Sequence, residues 1–421
     1  VQSATPVSYG MNRSYQDAVP QPPIVQPGQA QANMNYAPAQ SACSDCGSAT
    51  NAYGACGSSG CQLGSRLGSR LGNAPELGDP WTLFGNGCDE PWLTMGGWVQ
   101  GGYHNRSNDL FNSHPGQINA HQVWFFAEKL AESDAGSLGW GFRFDGMYGV
   151  DAGDTASFGN QNAVWDTAPG FDRGGGYGWA LPQTYLELAK GDWNVKIGKF
   201  FTLIGYEVVT APDNFFYSHA MTMYNSEPFT HTGVLASRAI NDDTTVYGGW
   251  TLGWDTGFDR FDGGGNFLGG ISKGLGEYLT MTYMTTIGDF GARGADGYMQ
   301  SLVFDAQLTE NWNYVIQSDY LRVGTTGEDT FGINQYLFRT INERLSFGTR
   351  LEWWKADTLT GYAPYGSTLP ADGNLSYWSY TNGLNYRLNS NMIVRPEYRR
   401  DWSEGADYSE DVFGIDFIVT Y

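Results

Sequence analysis

Val412-Phe413-Gly414-Ile415-Asp416-Phe417-Ile418-Val419-Thr420-Tyr421 alternates without a break. Phe413, Ile415, Phe417, Val419 and Tyr421 fall on one side of an extended chain; Val412, Gly414, Asp416, Ile418 and Thr420 fall on the other. Successive strand side chains point to opposite faces, so one face suits lipid and the other, which carries an acid, suits water. Back to about residue 92 the same unit recurs: roughly ten alternating residues, then by turns a tight connection and a longer one. That rhythm predicts an all-β fold, a transmembrane antiparallel β-barrel.

About sixteen such runs can be drawn, the first at Leu93–Tyr103, the fourth at Leu181–Lys190, the seventh at Thr244–Trp254 and the last at Glu410–Tyr421. An even count is what a single-chain bacterial barrel requires. Gly191-Asp192, Asn241-Asp242-Asp243, Thr309-Glu310 and Asn389-Ser390 read as tight turns at one end, and the longer loops fall at the other. A soluble sandwich has no reason to keep that parity, so parity separates the two readings better than hydropathy. Aromatics gather near strand ends, among them Trp250 and Trp254, Trp353 and Trp354, and Tyr398 and Trp402. Such rings suit the interfacial girdles of a membrane barrel; the alternative is cross-strand packing in a soluble sheet.

Mean hydropathy is -0.38, and no apolar run is long enough for a spanning helix. A barrel gives the same value, because only alternate residues meet lipid. Formal charge is -21, from 44 acidic and 23 basic residues, which argues against a nucleic-acid partner. Of these, 38 acids and 20 bases lie beyond residue 91, so acid lining a pore would concentrate cations; a solvated acidic loop surface is the alternative.

Residues 1–91 read as an extended N-terminal arm rich in Pro, Gln, Ala and Gly, too poor in apolar residues to fold alone, with the barrel at 92–421. Cys43, Cys46, Cys56 and Cys61 are candidate disulfide partners in an oxidising compartment, with Cys88 left over; their spacing fits a zinc site poorly. Leu63-Gly64-Ser65-Arg66-Leu67-Gly68-Ser69-Arg70 is a short repeat, either a flexible tether or a pair of arginines for carboxylates at the barrel mouth. The chain starts at Val1 with no basic or apolar leader, and the expectation is that a signal peptide has been removed.

A cylinder of this strand number is too wide for its own side chains to fill, so charged residues belong on the inner face. Alternation places Arg143, Asp145, Glu187, Asp305, Asp319, Arg350, Glu352, Arg395, Glu397, Arg399, Asp401 and Asp416 there, as pore lining. The connection 205–229 is unlike a solvent loop: Ala211-Pro212-Asp213-Asn214-Phe215-Phe216-Tyr217-Ser218-His219 and Met221-Thr222-Met223-Tyr224 want burial, and the lumen is the nearest place. It is expected to fold in as a constriction charged by Glu207, Asp213, His219 and Glu227; the alternative is an outward loop on a neighbouring subunit.

Gly97-Trp98-Val99-Gln100-Gly101-Gly102-Tyr103, Gly198-Lys199-Phe200-Phe201-Thr202-Leu203-Ile204-Gly205-Tyr206-Glu207, Pro212-Asp213-Asn214-Phe215-Phe216-Tyr217-Ser218-His219 and Glu227-Pro228-Phe229-Thr230-His231-Thr232-Gly233-Val234-Leu235 carry a resemblance. They resemble the bacterial β-barrel porins described as OmpL-like, over roughly residues 92–421. The resemblance implies an outer-membrane diffusion pore with no catalytic residues. The family's Thr-Pro-Ile-Gly strand exit stands here as Thr202-Leu203-Ile204-Gly205, without the proline that would fix the bend. The Cys-containing arm lies outside the resemblance.

An enzymatic barrel would need a nucleophile and a base; the histidines His104, His114, His121, His219 and His231 have no matching serine motif. His104, Asp109 and His114 could bind a metal, but their spacing in one loop is weak evidence for a site, and no cofactor motif is complete. The expected function is therefore a porin passing small hydrophilic solutes or ions, cation-preferring, among outer-membrane lipid. Homo-oligomerisation, as a trimer, rests on analogy with porin architecture, and the arm could meet a cell-wall or envelope partner. The rival reading is a structural envelope barrel with a plugged lumen.

Overall fold

The computed structural model describes residues 77, 80–82, 92–108, 111–133, 136–157, 165–167, 176–258, 263–357 and 375–421. The five cysteines, Asp109 and the Leu-Gly-Ser-Arg repeat lie outside them.

Alternating, β-branched and aromatic runs form β1 (Thr94–His104), β2 (Ile118–Lys129), β3 (Gly139–Gly149), β4 (Gly178–Ala180 and Thr184–Lys190), β5 (Trp193–Phe201), β6 (Thr230–Asn241), β7 (Thr244–Thr251) and β8 (Gly265–Gly274). The second half adds β9 (Leu279–Asp289), β10 (Gly297–Thr309), β11 (Trp312–Val323), β12 (Glu328–Thr340), β13 (Leu345–Ala356), β14 (Leu375–Asn389), β15 (Met392–Ser403) and β16 (Tyr408–Thr420). Each pairs antiparallel with its chain neighbours, and β1 also pairs with β16 from Trp98↔Thr420 to His104↔Gly414. The sheet therefore closes into a sixteen-strand barrel with no free edge.

Most strand ends shift by one to three residues from the expected runs, and two departures have a local cause. β4 is broken at Leu181-Pro182-Gln183, because Pro182 has no N–H to give the ladder. Both halves pair with β3, and Gln183 bridges the gap: its carbonyl accepts from Asp145 N at 2.9 Å and its side-chain oxygen from Phe201 N at 3.2 Å. β7 stops at Thr251 rather than Trp254, where Gly253 takes φ +126° and turns the chain away.

Exposure separates the faces. In β16, Phe413, Ile415 and Phe417 are 55%, 45% and 44% exposed, whereas Asp416 and Ile418 are 1% exposed. Outward Trp353, Trp378 and Trp402 form a ladder across β13–β15 near the loop end, with centroids 6.2 and 6.1 Å apart. At the turn end, Asn391 holds the Trp81 backbone through two hydrogen bonds of 2.9 and 2.8 Å, which docks residues 80–82 beside the β14–β15 turn.

Candidate functional site

The β5–β6 connection, 202–229, runs inside the barrel and is buried along most of its length. Gly205 starts it at φ +92°, where a Cβ would collide with the Glu227 carboxylate. A single 3-10 turn (Ala211–Asp213) opened by Pro212 and a short helix, α1 (Met221–Ser226), shape the rest.

Glycines on the inner wall seat the loop's side chains. A Cβ at Gly102 or Gly414 would lie within 3.0 Å of Tyr217, one at Gly348 within 3.0 Å of Phe215, and one at Gly332 within 3.0 Å of Thr222. Gly383 faces Phe216 in the same way, at 3.2 Å. Packing completes the fit: Phe215 and Phe216 cluster with Val303, Val315, Tyr336 and Phe338, and Trp354 Nε1 donates to Ser226 Oγ at 2.9 Å.

The inner-face charges of β13–β16 meet this loop. Arg350 Nη1 donates to Glu207 Oε1 at 2.5 Å and to Ser218 O at 2.9 Å. Arg395 grips Asp416 through Nε and Nη2 (2.9 and 2.5 Å) and donates from Nη1 to the carbonyls of Ala211 and Asn214 at 2.8 and 2.6 Å. Arg399 pairs with Asp401 at 2.7 Å and donates to His219 O. Two carboxylates do the converse: Glu352 accepts from Met221 N and Thr222 N at 2.8 and 2.7 Å, and Glu397 from Tyr217 N and Ser218 N at 2.8 and 3.2 Å. Loop amides and carbonyls that burial would otherwise orphan thus find charged partners on the wall.

The other inner-face charges make their bonds on the wall itself, Asp319 also lying beside Glu227 of the loop. Arg143 binds Asp145 at 2.7 Å and Glu128 at 3.2 Å, with Trp124 Nε1 donating to Asp145 at 2.8 Å. Glu187 accepts from Asn194 at 3.0 Å, Asp305 from Asn313 at 2.6 Å and Asp319 from Gln317 at 2.9 Å. Between these groups, Leu235, Tyr247, Leu268, Met284, Met299 and Leu321 make an apolar inner wall on β6–β11.

The four loop residues singled out from sequence have different surroundings. Glu207 lies between Arg350 and His219, whose Nδ1 is 3.6 Å away. Burial pushes its carboxyl up, but Arg350, His219 and the Ala220 amide outweigh that and hold it at about 2. Glu227, buried, accepts from Gln317 at 2.6 Å; burial and then the neighbouring Asp319 push its carboxyl well above the usual range, toward the neutral acid. Asp213 alone of the three carboxyls is half-buried; Gly205, Tyr206 and Val208 of the same loop are also partly exposed. Deep inside the barrel, burial pushes it up to about 7, against a hydrogen bond from Thr210 and the charges of Arg143 and Arg395.

Several residues of the site were not singled out from sequence. Tyr217 OH lies 2.6 Å from His121 Nε2, whose Nδ1 lies 2.7 Å from Asp151 Oδ1, tying the loop to β2 and to the β3–β4 connection. Gln122 donates to Val209 O at 2.8 Å and accepts from Ala211 N at 3.1 Å. A small cavity of about 10 Å³ lies between the loop and this wall, lined by Gln100, His121, Gln122, Tyr217, His219 and Arg395 among others. Alternation puts Gln100 and Gln122 on inner faces, a signal that was there to read; the seat for Tyr217 had none.

Residues 92–420 match the family model described as "putative beta-barrel porin-2, OmpL-like". The chain belongs to that porin family. Solved porins share its fold. The outer-membrane channel DcaP of Acinetobacter baumannii aligns at 10% identity and a TM-score of 0.55, over 78% of this chain and 97% of its own. The anion-selective porin from Comamonas acidovorans aligns at 12% identity and a TM-score of 0.54, over 78% and 99%. No curated protein matches the chain.

Proposed function

We propose that this porin is a passive, non-enzymatic diffusion channel of the bacterial outer membrane for small hydrophilic solutes or ions, with its turn end in the periplasm and its loop end outside. The observation that carries the reading is the inner loop: it is clamped to the β12–β16 wall and narrows the barrel rather than leaving it wide. A cation preference is supported by Asp213, the one of its carboxyls that is partly exposed and has no basic partner at bonding distance. Glu207 and His219 serve that constriction by holding its shape, and Glu227 by lying against Gln317. The anion selectivity of the Comamonas porin stays with that protein, since 12% identity carries fold alone. Oligomerisation, as a trimer by architectural analogy, and an envelope partner for the arm belong to the same reading.

A second reading is a plugged envelope barrel, favoured by the burial of most of the loop against the wall. Planar-bilayer recording of the purified protein separates them: ohmic current steps support the channel, and a silent bilayer supports the plug.

A further inference from the structure

Lys199 lies at the loop end of β5, just before the inner loop begins. The two ends of that loop are tied together next to it: Thr202 N donates to Phe229 O at 2.9 Å, and Thr202 Oγ1 lies 3.0 Å from His231 Nε2. The Lys199 ammonium is fully buried, makes no hydrogen bond, and has Asp166 Oδ2 at 3.8 Å. Asp166 belongs to a 3-10 turn (Trp165–Thr167) of the β3–β4 connection and accepts from Ser157 N at 3.1 Å. A second acid comes from the β7–β8 connection. Lys199 pairs in register with Thr232, and Phe201 with Thr230, so both threonines stand on the face that Lys199 shares. Thr232 Oγ1 donates to Thr256 O at 2.6 Å. Thr230 donates to Asp255 Oδ1 from its backbone N at 3.1 Å and also from its hydroxyl, and Asp255 is 2% exposed. Trp165 and Phe258 meet edge to face at 4.7 Å, which joins the two connections a second time.

The charges in this cluster do not balance. One ammonium offsets one carboxylate, and a second buried carboxylate beside the pair is costly unless it carries a proton. Burial pushes the Asp255 carboxyl up to about 7, against the Lys199 charge and the Thr230 hydrogen bonds, and Asp166 adds to the rise. The remaining groups around it do not supply the missing charge. Arg293, over the neighbouring Trp254 ring at 4.3 Å, is paired with Glu328 at 2.7 Å, and His231, next to Thr230 on β6, meets Thr202. The backbone is strained at the same place: Asp255 takes φ +48° and Trp165, the neighbour of Asp166, takes φ +51°. Left-handed residues other than glycine persist where contacts hold them, and they gather at elements that switch.

We propose that Lys199, Asp166 and Asp255 form a proton-dependent latch that holds the β3–β4 and β7–β8 connections together at the neck of the inner loop, closed while Asp255 carries a proton and loosened when both acids are ionised. In the released state Asp255 returns to its ordinary value of 3.8, so the closed latch loses stability as the pH rises from there through about 7, and loses no more above it.

The test is hydrogen–deuterium exchange of the full-length protein in detergent, read on peptides covering 252–258 and compared between the wild type and Asp255→Asn at each pH from 5.5 to 8.5, so that the intrinsic pH dependence of exchange cancels. Asp255→Asn has the shape of the protonated acid and should stay latched throughout. The ratio of wild-type to variant exchange should therefore rise about tenfold or more between pH 5.5 and 7.5 and then level off. Lys199→Met, which strips Asp166 of its base, should loosen the same peptides already at pH 5.5. Circular dichroism checks that each variant keeps its barrel; if Asp255→Asn does not, the protection factors of the wild type over the same pH range carry the test. A flat pH profile, or a folded Lys199→Met protein as protected as the wild type, would overturn the latch. Exchange is read and not current, so a silent bilayer leaves the latch standing and a flat profile leaves the porin reading standing.

Discussion

Arg350 reaches from β13 to Glu207 of the inner loop at 2.5 Å, and both side chains are buried. Arg350 continues to the Ser218 carbonyl and hydroxyl, so one side chain joins the beginning and the middle of the loop. The loop is thereby a fixed partition of the barrel and not a tethered flap.

Removing Arg350 tests that description. Arg350→Met leaves Glu207 buried without its main partner, and breaking a buried pair costs about 3–5 kcal/mol. Heat-induced loss of the folded barrel should come at lower temperature. Single-channel conductance should rise or become noisy as the loop loosens, while a tight, unchanged conductance would mean that the other clamps suffice.

The glycine seats make a steric prediction. Gly348→Val would drive a branched side chain into Phe215, and Gly414→Val would do the same to Tyr217. Overpacking of this kind costs about 1–3 kcal/mol. The barrel should still close, because both positions keep ordinary strand pairing, but protease access to residues 205–229 should increase. Protection equal to the wild type would show that these seats do not hold the loop.

Acid should release the loop before it opens the barrel. Glu207 is held near 2 in the folded protein, below its ordinary value of 4.5, so its contribution is complete above about pH 4.5 and disappears as the pH falls toward 2. Limited proteolysis of the loop across pH 2–5 should show protection lost in that window. Glu207→Gln should be partly released already at pH 7, and a flat pH profile in the wild type would contradict the assignment.

Much of the architecture was legible in the sequence because a barrel repeats one rule. Period-two alternation fixes which residues of β16 face in and which face out, and the parity of turns and loops demands closure. The Pro182 gap was overlooked because the flanking residues alternate across it. The clamp was beyond reach for a different reason. Alternation tells that Arg395 and Glu397 point inward, but not that an arginine would spend its donors on the Ala211 and Asn214 carbonyls or a glutamate on the Tyr217 amide. Wall glycines such as Gly348 read as weak strand positions until Phe215 is seen against them. Contacts across the lumen join residues far apart in sequence, and no local pattern encodes them.

The central claim is that solutes pass the open side of a pinned loop, beside Asp213. Its most direct test is the zero-current potential of the wild type and of Asp213→Asn in a KCl gradient, recorded from pH 5.5 to 8.5. Because Asp213 is pushed up to about 7, the wild type should become more cation-preferring as the pH rises through that value, while Asp213→Asn stays weakly selective throughout and Glu227→Gln tracks the wild type. A pH-independent wild type indistinguishable from Asp213→Asn, or a bilayer that never conducts, would contradict the account.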